Sequence, residues 1–243
     1  MANNKTLAII LAAGKGTRMN MGIPKPLVKV KKRPIISWLI DDFRKKNIDV
    51  NLIVNPLDIA FFNKYNHLVE FIFQNNPKGT GHAVIQALIQ IKKYKYIYVF
   101  VGDCPFVGYD NISRMYDEHI KHDSDLTILT SIFKEKKFPY ARIVRDGSGS
   151  IIKCIEEMDA TKEEKSIPEL FCSHYLFKSS ILQHYIKDIK SNPKTKEIYF
   201  TDIINLLIDN NKNVSSLCIS DWRRLVGLNT KQELEWIEYQ NII

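Results

Sequence analysis

Short, continuous apolar runs alternate with helical patterns through the first half of the chain. These runs lack polar alternation, which is typical of strands buried on both faces of a parallel sheet. The predicted strands cover residues 7–11, 50–54, 71–73, 96–101 and 126–133. The helical spacing of apolar residues predicts helices over 34–43, 83–91 and 112–120. This alternation predicts an α/β fold, with a mostly parallel sheet covered by helices on both faces.

The second half of the chain is less regular and predicts a smaller, β-rich part. Strands predicted over 140–144 and 151–155 flank Asp146-Gly147-Ser148-Gly149, which is a hairpin signal. The remaining predicted elements are strands over 170–177 and 214–219 and helices over 201–209 and 231–239. Because no repeat or linker interrupts the pattern, we expect one domain over 1–243, made of halves 1–135 and 136–243.

Composition narrows the class of protein. The 243 residues are 45% hydrophobic, enough for a full core, yet no apolar stretch approaches the length of a membrane span. The net charge of +8 favours anionic ligands, but the lysines are spread along the chain, so we expect neither nucleic acid nor a membrane as a partner. The N-terminal residues show no signal-peptide pattern, and the four cysteines are isolated. They predict free thiols in a reducing compartment and a cytoplasmic location.

The loop after the first apolar run carries the strongest chemical signal. Gly14 and Gly16 let backbone N–H groups approach a polyanion, and Arg18 and Lys25 neutralise its charge. The loop matches neither of the common phosphate-binding templates, and an ordinary tight turn is the alternative interpretation. The ordered series of glycines and cations favours the polyanion, and it predicts a nucleoside triphosphate as the ligand.

Asp103 is a candidate metal ligand. It follows the apolar run over 96–101, which places its carboxylate at the same sheet edge as the phosphate loop. Mg²⁺ takes one or two protein oxygens there and completes its shell with substrate phosphates and water. The alternative is that Asp103 only forms a turn or caps a helix. Its combination with the loop at Gly14 favours the metal.

Five spaced motifs occur in the order found in sugar-1-phosphate nucleotidyltransferases. They are Leu11-Ala12-Ala13-Gly14-x-Gly16-x-Arg18, Pro24-Lys25, Gly79-Thr80-Gly81-His82-Ala83, Gly102-Asp103-x-Pro105 and Gly227-x-Asn229. Over nearly its whole length the chain resembles the uridylyltransferase domain of bacterial N-acetylglucosamine-1-phosphate uridyltransferase. The resemblance implies a Rossmann-like, GT-A-like nucleotide-diphospho-sugar transferase fold, with a nucleotide-binding half and a smaller acceptor-binding lobe. It does not include the acetyltransferase domain with its hexapeptide repeats, so no oligomeric state is predicted.

The resemblance also implies a reaction. The phosphate oxygen of a sugar 1-phosphate attacks the α-phosphorus of a nucleoside triphosphate in line, and pyrophosphate leaves. Positioning and charge neutralisation supply most of the catalysis, because a phosphate monoester is already nucleophilic. By resemblance, Arg18 holds the β- and γ-phosphates and Lys25 bridges the α-phosphate and the sugar phosphate. Asp103 and Asn229 hold Mg²⁺, the expected cofactor.

The same resemblance assigns the remaining binding residues. The nucleotide-binding positions are Leu11, Ala12, Ala13, Gly14, Gln74, Gly79, Thr80 and Asp103. The acceptor-binding positions are Ala141, Glu156, Phe171, Tyr199, Thr201 and Asn229. The Gln74 amide can both donate and accept a hydrogen bond, as uracil requires, although a surface glutamine at a strand end is the alternative. We assign no chemistry to His82, since a histidine at a helix start is more often structural.

Two acceptor positions depart from the family pattern. Ala141 stands where the family has glycine, and Phe171-Cys172-Ser173 replaces Asn-Thr-Gly. Loss of the amide leaves a sugar hydroxyl unpaired, at a cost of roughly 1–3 kcal/mol. The resemblance as a whole still predicts a transferase that joins UTP to N-acetylglucosamine 1-phosphate. A cytidylyl- or other nucleotidyltransferase with a different phosphorylated acceptor, and a catalytically silent nucleotide-binding regulatory protein, stay open as alternatives.

Overall fold

The computed structural model describes residues 6–14, 22–134 and 138–242. Within these ranges a nine-stranded sheet has the order β11-β7-β10-β6-β1-β4-β5, and a hairpin of β8 and β9 is attached through β10. The strands are β1 (Thr6–Leu11), β4 (Asp49–Val54), β5 (Glu70–Phe73), β6 (Tyr96–Val101), β7 (Leu126–Ile132), β8 (Ala141–Arg145), β9 (Ile151–Ile155), β10 (Glu169–Lys178) and β11 (Val214–Ile219). A separate two-stranded ribbon pairs β2 (Lys29–Val30) with β3 (Arg33–Pro34).

Helices cover both faces of the sheet. They are α1 (Ile35–Arg44), α2 (Ile59–Phe62), α3 (Thr80–Gln86), α4 (Leu88–Ile91), α5 (Tyr109–Lys121), α6 (Ser179–Tyr185), α7 (Asp202–Asp209) and α8 (Lys231–Glu238). One core packs α1 and α5 against one face, and a second core packs α3, α6 and α7 against the other. Among the described residues, no helix is long and apolar enough to cross a membrane.

The parallel strands β6, β1, β4 and β5 bring their carboxyl ends to one edge of the sheet. Leu11 at the end of β1 pairs with Val101 of β6 and with Ile53 of β4. Residues 7–10 are fully buried, because helices cover both faces of β1. Their continuous apolar character follows from that burial. The loops after these strands therefore lie side by side, as the pattern predicts.

Strand β10 joins the two halves of the chain in one sheet. It lies antiparallel between β6 and β7, and its first residues also pair with β8. A bulge between Phe171 and Tyr175 shifts the register, and Ser173 within it has a φ of 61°. The predicted fold class is confirmed, since a mixed but mostly parallel sheet carries helices and a smaller antiparallel part. The division into one domain with two functional halves stays a prediction.

Some local predictions differ from the structure. The helix predicted over 83–91 is two helices, α3 and α4, because Ala87 between them has a φ of −90° and a ψ of 1°. Helix α3 also begins earlier than predicted, at Thr80. The sequence pattern does not predict α2, α6 or the β2–β3 ribbon, because helices of four to seven residues and strands of two residues show no clear period.

Candidate active site

A cavity of about 550 Å³ opens at the carboxyl edge of the parallel strands. It is lined by residues from several loops that are far apart in the chain. The predicted site residues among them are Leu11, Ala12, Ala13, Gly14, Lys25, Gln74, Gly79, Thr80, Asp103, Tyr199 and Asn229. Apart from Arg18, the fold therefore brings together all positions predicted to bind the nucleotide or the metal. It also places Lys25, which is predicted to be catalytic, in the same cavity.

The backbone that follows β1, from Leu11 to Gly14, lines one part of the cavity. The Ala12 N–H donates to Ile53 O at 2.8 Å, and the Gly102 N–H donates to Leu11 O at 2.9 Å. A Cβ at Gly102 would lie 2.8 Å from Leu11 O, so only glycine permits this approach of two strand ends. These bonds fix the peptide group between Leu11 and Ala12 at the lining of the cavity.

The motif that starts α3, with Gly79 at its N-cap and Gly81 in its first turn, packs against the segment that carries Tyr199. A Cβ at Gly79, whose φ is 94°, would lie 2.5 Å from Ile198 O, and one at Gly81 would lie 2.5 Å from Ile198 Cγ2. The Gly81 N–H donates to Ile198 O at 2.8 Å, and Thr80 Oγ1 accepts from the Phe200 N–H at 3.0 Å. The motif thus serves a packing role that sequence reasoning missed, since it places Tyr199 beside the nucleotide positions.

Gln74 is buried in the wall of the cavity, with 3% of its surface exposed, so the alternative of a surface glutamine is wrong. Its Nε2 donates to Gly79 O at 3.2 Å and lies 3.0 Å from His82 Nδ1. Because Gly79 O can only accept, the amide nitrogen faces the protein, and Oε1 is left as the group that can meet a ligand. His82 thus contacts the side chain to which we assigned base recognition.

Lys25, Asp103 and Asn229 meet at one point of the cavity. Lys25 Nζ donates to Asp103 Oδ2 at 2.5 Å and to Asn229 Oδ1 at 2.7 Å. Burial alone raises the pKa of Asp103, but the charge and hydrogen bond of Lys25 outweigh it and hold the pKa below its usual value. Asp103 is therefore an ionised carboxylate near neutral pH, aimed at a cation.

The same two oxygens suit a magnesium ion. A carboxylate and an amide carbonyl converge on one positively charged nitrogen, and such oxygens are the ligands that Mg²⁺ prefers. Across 6–14, 22–134 and 138–242, no group of three or more histidine, cysteine, aspartate or glutamate side chains could hold a metal. The rest of a coordination shell would come from substrate phosphates and water, as is usual for Mg²⁺.

Four predicted acceptor residues lie outside the lining of this cavity. Ala141 and Phe171 pair across β8 and β10 and are buried, and the Phe171 ring lies 4.9 Å from that of Tyr175 in an edge-on contact. Thr201 is also buried, and its Oγ1 lies 3.5 Å from the Tyr175 hydroxyl. Burial raises the pKa of Glu156, while a hydrogen bond with Thr201 opposes that shift. Their acceptor-binding roles stay predictions.

Two further outcomes concern individual side chains. Arg18, predicted to hold the β- and γ-phosphates, lies outside the described residues. Glu197 lines the cavity near Tyr199, but sequence reasoning did not single it out. Its position two residues before Tyr199, a predicted acceptor position, was the signal that could have found it.

Comparison with known proteins decides the family. A family model described as "Nucleotidyl transferase" matches residues 7–236. The chain belongs to this family. It is 35% identical over 237 residues to the bifunctional protein GlmU of Thermosipho melanesiensis. The matched region covers 95% of this chain and 49% of that relative. The corresponding protein of Acetivibrio thermocellus is 33% identical, covering 94% of this chain and 50% of that relative.

The chain thus spans about half the length of the curated relatives it matches. A solved structure from Bacillus anthracis, described as a glucose-1-phosphate thymidylyltransferase, superposes with a TM-score of 0.76. It covers 97% of this chain and 96% of its own, at 19% sequence identity, and it shows that the fold is shared. These matches confirm the family resemblance that the five motifs predicted.

Proposed function

We propose that this nucleotidyltransferase joins UTP to N-acetylglucosamine 1-phosphate and releases pyrophosphate, with Mg²⁺ as its cofactor. The observation that carries the proposal is the convergence of Asp103 Oδ2 and Asn229 Oδ1 on a single cationic group inside the cavity. A site for a sugar alone has no need of such an arrangement. Mg²⁺ bound there offsets negative charge on the attacking and departing phosphate groups.

Each part of the cavity then has a role in binding the nucleotide. The backbone from Leu11 to Gly14 lies beneath the nucleotide, and Gln74 Oε1 accepts the N3–H of uracil. Lys25 neutralises the α-phosphate and the sugar phosphate, and Arg18 neutralises the β- and γ-phosphates. No general base is needed, since the sugar phosphate is already ionised. Catalysis comes from holding the attacking oxygen in line and from charge neutralisation.

A second candidate is a nucleotidyltransferase, cytidylyl or other, that acts on a different phosphorylated acceptor. The observation that favours it is the burial of Phe171, which is 2% exposed and packs on Tyr175. An apolar ring in the core cannot replace the amide that binds a sugar hydroxyl in the family. Under this candidate the nucleotide and metal roles are unchanged, and only the acceptor differs.

The test is a screen for pyrophosphate release with four nucleoside triphosphates against sugar 1-phosphates and other phosphomonoesters. We expect turnover with UTP and N-acetylglucosamine 1-phosphate, and loss of that turnover when EDTA removes Mg²⁺. Turnover only with another pair would favour the second candidate. If no pair reacts, the chain is a catalytically silent nucleotide-binding protein and the proposed activity is wrong.

A further inference from the structure

The hydroxyl group of Tyr140 contacts the loop that carries Asn229. It accepts a hydrogen bond from the Gly227 N–H at 2.9 Å and lies 3.5 Å from Gly227 O. Burial raises the pKa of Tyr140 well above its ordinary value, so the phenol stays protonated near neutral pH. Tyr140 directly precedes β8 and Gly227 lies before α8, so the contact joins segments that are distant in sequence.

Gly227 in turn orients the Asn229 side chain. Asn229 Nδ2 donates to Gly227 O at 3.2 Å, which leaves Oδ1 facing Lys25 Nζ at 2.7 Å. A hydrogen bond from the Leu228 N–H to Asp103 O, 2.9 Å long, ties the same turn to the end of β6. Tyr140 holds Gly227 through its N–H, and Gly227 O in turn decides which atom of the Asn229 amide faces Lys25 Nζ.

The turn has little room to adopt another position. A Cβ at Gly227 would lie 3.2 Å from Asn229 Nδ2 and 3.3 Å from Asp103 Oδ1. On the other side, Glu233 Oε2 accepts from the Asn229 N–H at 2.8 Å, in addition to its capping-box bond with the Thr230 N–H at the start of α8. Two side chains therefore fix this turn. Tyr140, next to β8, binds the Gly227 N–H, and Glu233, in α8, binds the Asn229 N–H.

The Tyr140 ring is itself fixed by its neighbours. It stacks on Phe138, with ring centroids 5.2 Å apart, and it meets Phe133 edge-on at 5.8 Å. Removal of the hydroxyl alone therefore leaves the ring in place and deletes only the contact with Gly227. This makes Tyr140→Phe a clean probe of that contact.

We propose that Tyr140 is a positioning residue for the cation site, because its hydroxyl holds the Gly227 turn so that Asn229 Oδ1 faces the point beside Asp103 that Lys25 Nζ occupies. This inference rests on the proposed function, in which Asp103 and Asn229 hold the cation. The hydrogen bond between Tyr140 and Gly227 connects the residue next to Ala141, a predicted acceptor position, to the turn that carries the metal ligand Asn229. Partners that orient metal ligands typically change metal affinity by about 10–100-fold when they are lost.

The test measures binding of Mn²⁺ alone to the full chain, by electron paramagnetic resonance of the free ion, together with thermal unfolding. We expect Tyr140→Phe to weaken Mn²⁺ binding by about 10-fold. The matched control is Tyr98→Phe, which also loses one buried hydroxyl, bonded to Ile112 O at 2.8 Å but away from the cavity. We expect this control to lower the melting temperature and to leave the Mn²⁺ affinity unchanged.

The outcomes separate this inference from the proposed function. If Asp103→Asn abolishes Mn²⁺ binding while Tyr140→Phe leaves it as in the wild type, the role of Tyr140 is overturned and the metal site stands. Equal weakening by Tyr140→Phe and Tyr98→Phe also overturns it, since the effect is then general destabilisation. If the wild type binds no Mn²⁺, or Asp103→Asn binds it unchanged, the metal assignment fails and this inference fails with it.

Discussion

The nucleotide side and the acceptor side of the candidate site differ in how many of their predicted residues line the cavity. On the nucleotide side, Gln74, Lys25 and Asp103 all line one cavity and make polar contacts with other residues there. On the acceptor side, Tyr199 and Asn229 line the same cavity, but Ala141 and Phe171 are buried in the core and do not line it. Gln74 and Asp103 follow the ends of β5 and β6, whereas Ala141 and Phe171 pair with each other within the sheet, on β8 and β10. Motifs therefore locate the nucleotide site more directly than the acceptor site.

The largest effect is expected at Asp103. Asp103→Asn removes the one carboxylate of the proposed cation site and the ionic partner of Lys25. We expect the rate of pyrophosphate release to fall by about 10³-fold, with no gain from added Mg²⁺. Steady-state rates at a series of Mg²⁺ concentrations measure this. An unchanged, Mg²⁺-dependent rate would show that the metal is held elsewhere.

Lys25→Met tests two effects of the Lys25 ammonium, which lies between Asp103 and Asn229: neutralisation of the substrate phosphates and occupation of the proposed metal position. We expect kcat to fall by about 10²-fold, because a charge that neutralises the phosphates is lost. Binding of Mn²⁺ without nucleotide should become tighter, because the Lys25 ammonium no longer occupies the point between the two oxygens. Kinetics and Mn²⁺ titration are both needed. Weaker Mn²⁺ binding would contradict the shared position of lysine and metal.

Phe171→Asn tests the other side of the comparison. Because the Phe171 ring is buried against Tyr175, we expect the free energy of unfolding to fall by about 3 kcal/mol. Urea denaturation at neutral pH measures the change. A variant as stable as the wild type would show that position 171 faces the acceptor rather than the core, and the contrast between the two sides would disappear.

The smallest expected effect is on the pH dependence of stability, and it concerns His174 on β10. Burial lowers the pKa of His174 to about 3, although the nearby Asp103 carboxylate opposes this, and neither ring nitrogen has a hydrogen-bond partner among the described residues. Below about pH 6.5 the unfolded chain takes up a proton that the folded chain does not. His174 therefore makes stability fall as pH drops from about 6.5 toward 3, by up to about 1.4 kcal/mol per pH unit.

His174→Phe should remove this contribution. We expect its free energy of unfolding to depend less on pH between 7 and 5 than that of the wild type. Urea denaturation at several pH values in this range provides the measurement. His119, whose pKa burial lowers to about 4, keeps a similar dependence in both proteins, so part of the slope remains. Equal slopes for the two proteins would contradict the buried, neutral state of His174.

Particular elements show how far local pattern carries the prediction of the fold. The apolar run over 96–101 is β6 with the same bounds, because burial on both faces demands an unbroken run. The predicted helix over 83–91 breaks at Ala87, although its apolar spacing continues past the break. Strand β10 was predicted, but not its antiparallel place between β6 and β7, since pairing partners depend on residues far away in the chain.

The sequence by itself determined the family, the fold class and the residues that gather at the carboxyl edge of the parallel strands. It could do so because glycines, charged groups and buried strands have local requirements that a motif records. Only the tertiary structure decided that Gln74 directs its amide nitrogen to Gly79 O and that Phe171 is buried in the core. It also decided that Tyr140 holds the turn before Asn229. These features depend on contacts between segments distant in sequence, and no local pattern encodes such contacts.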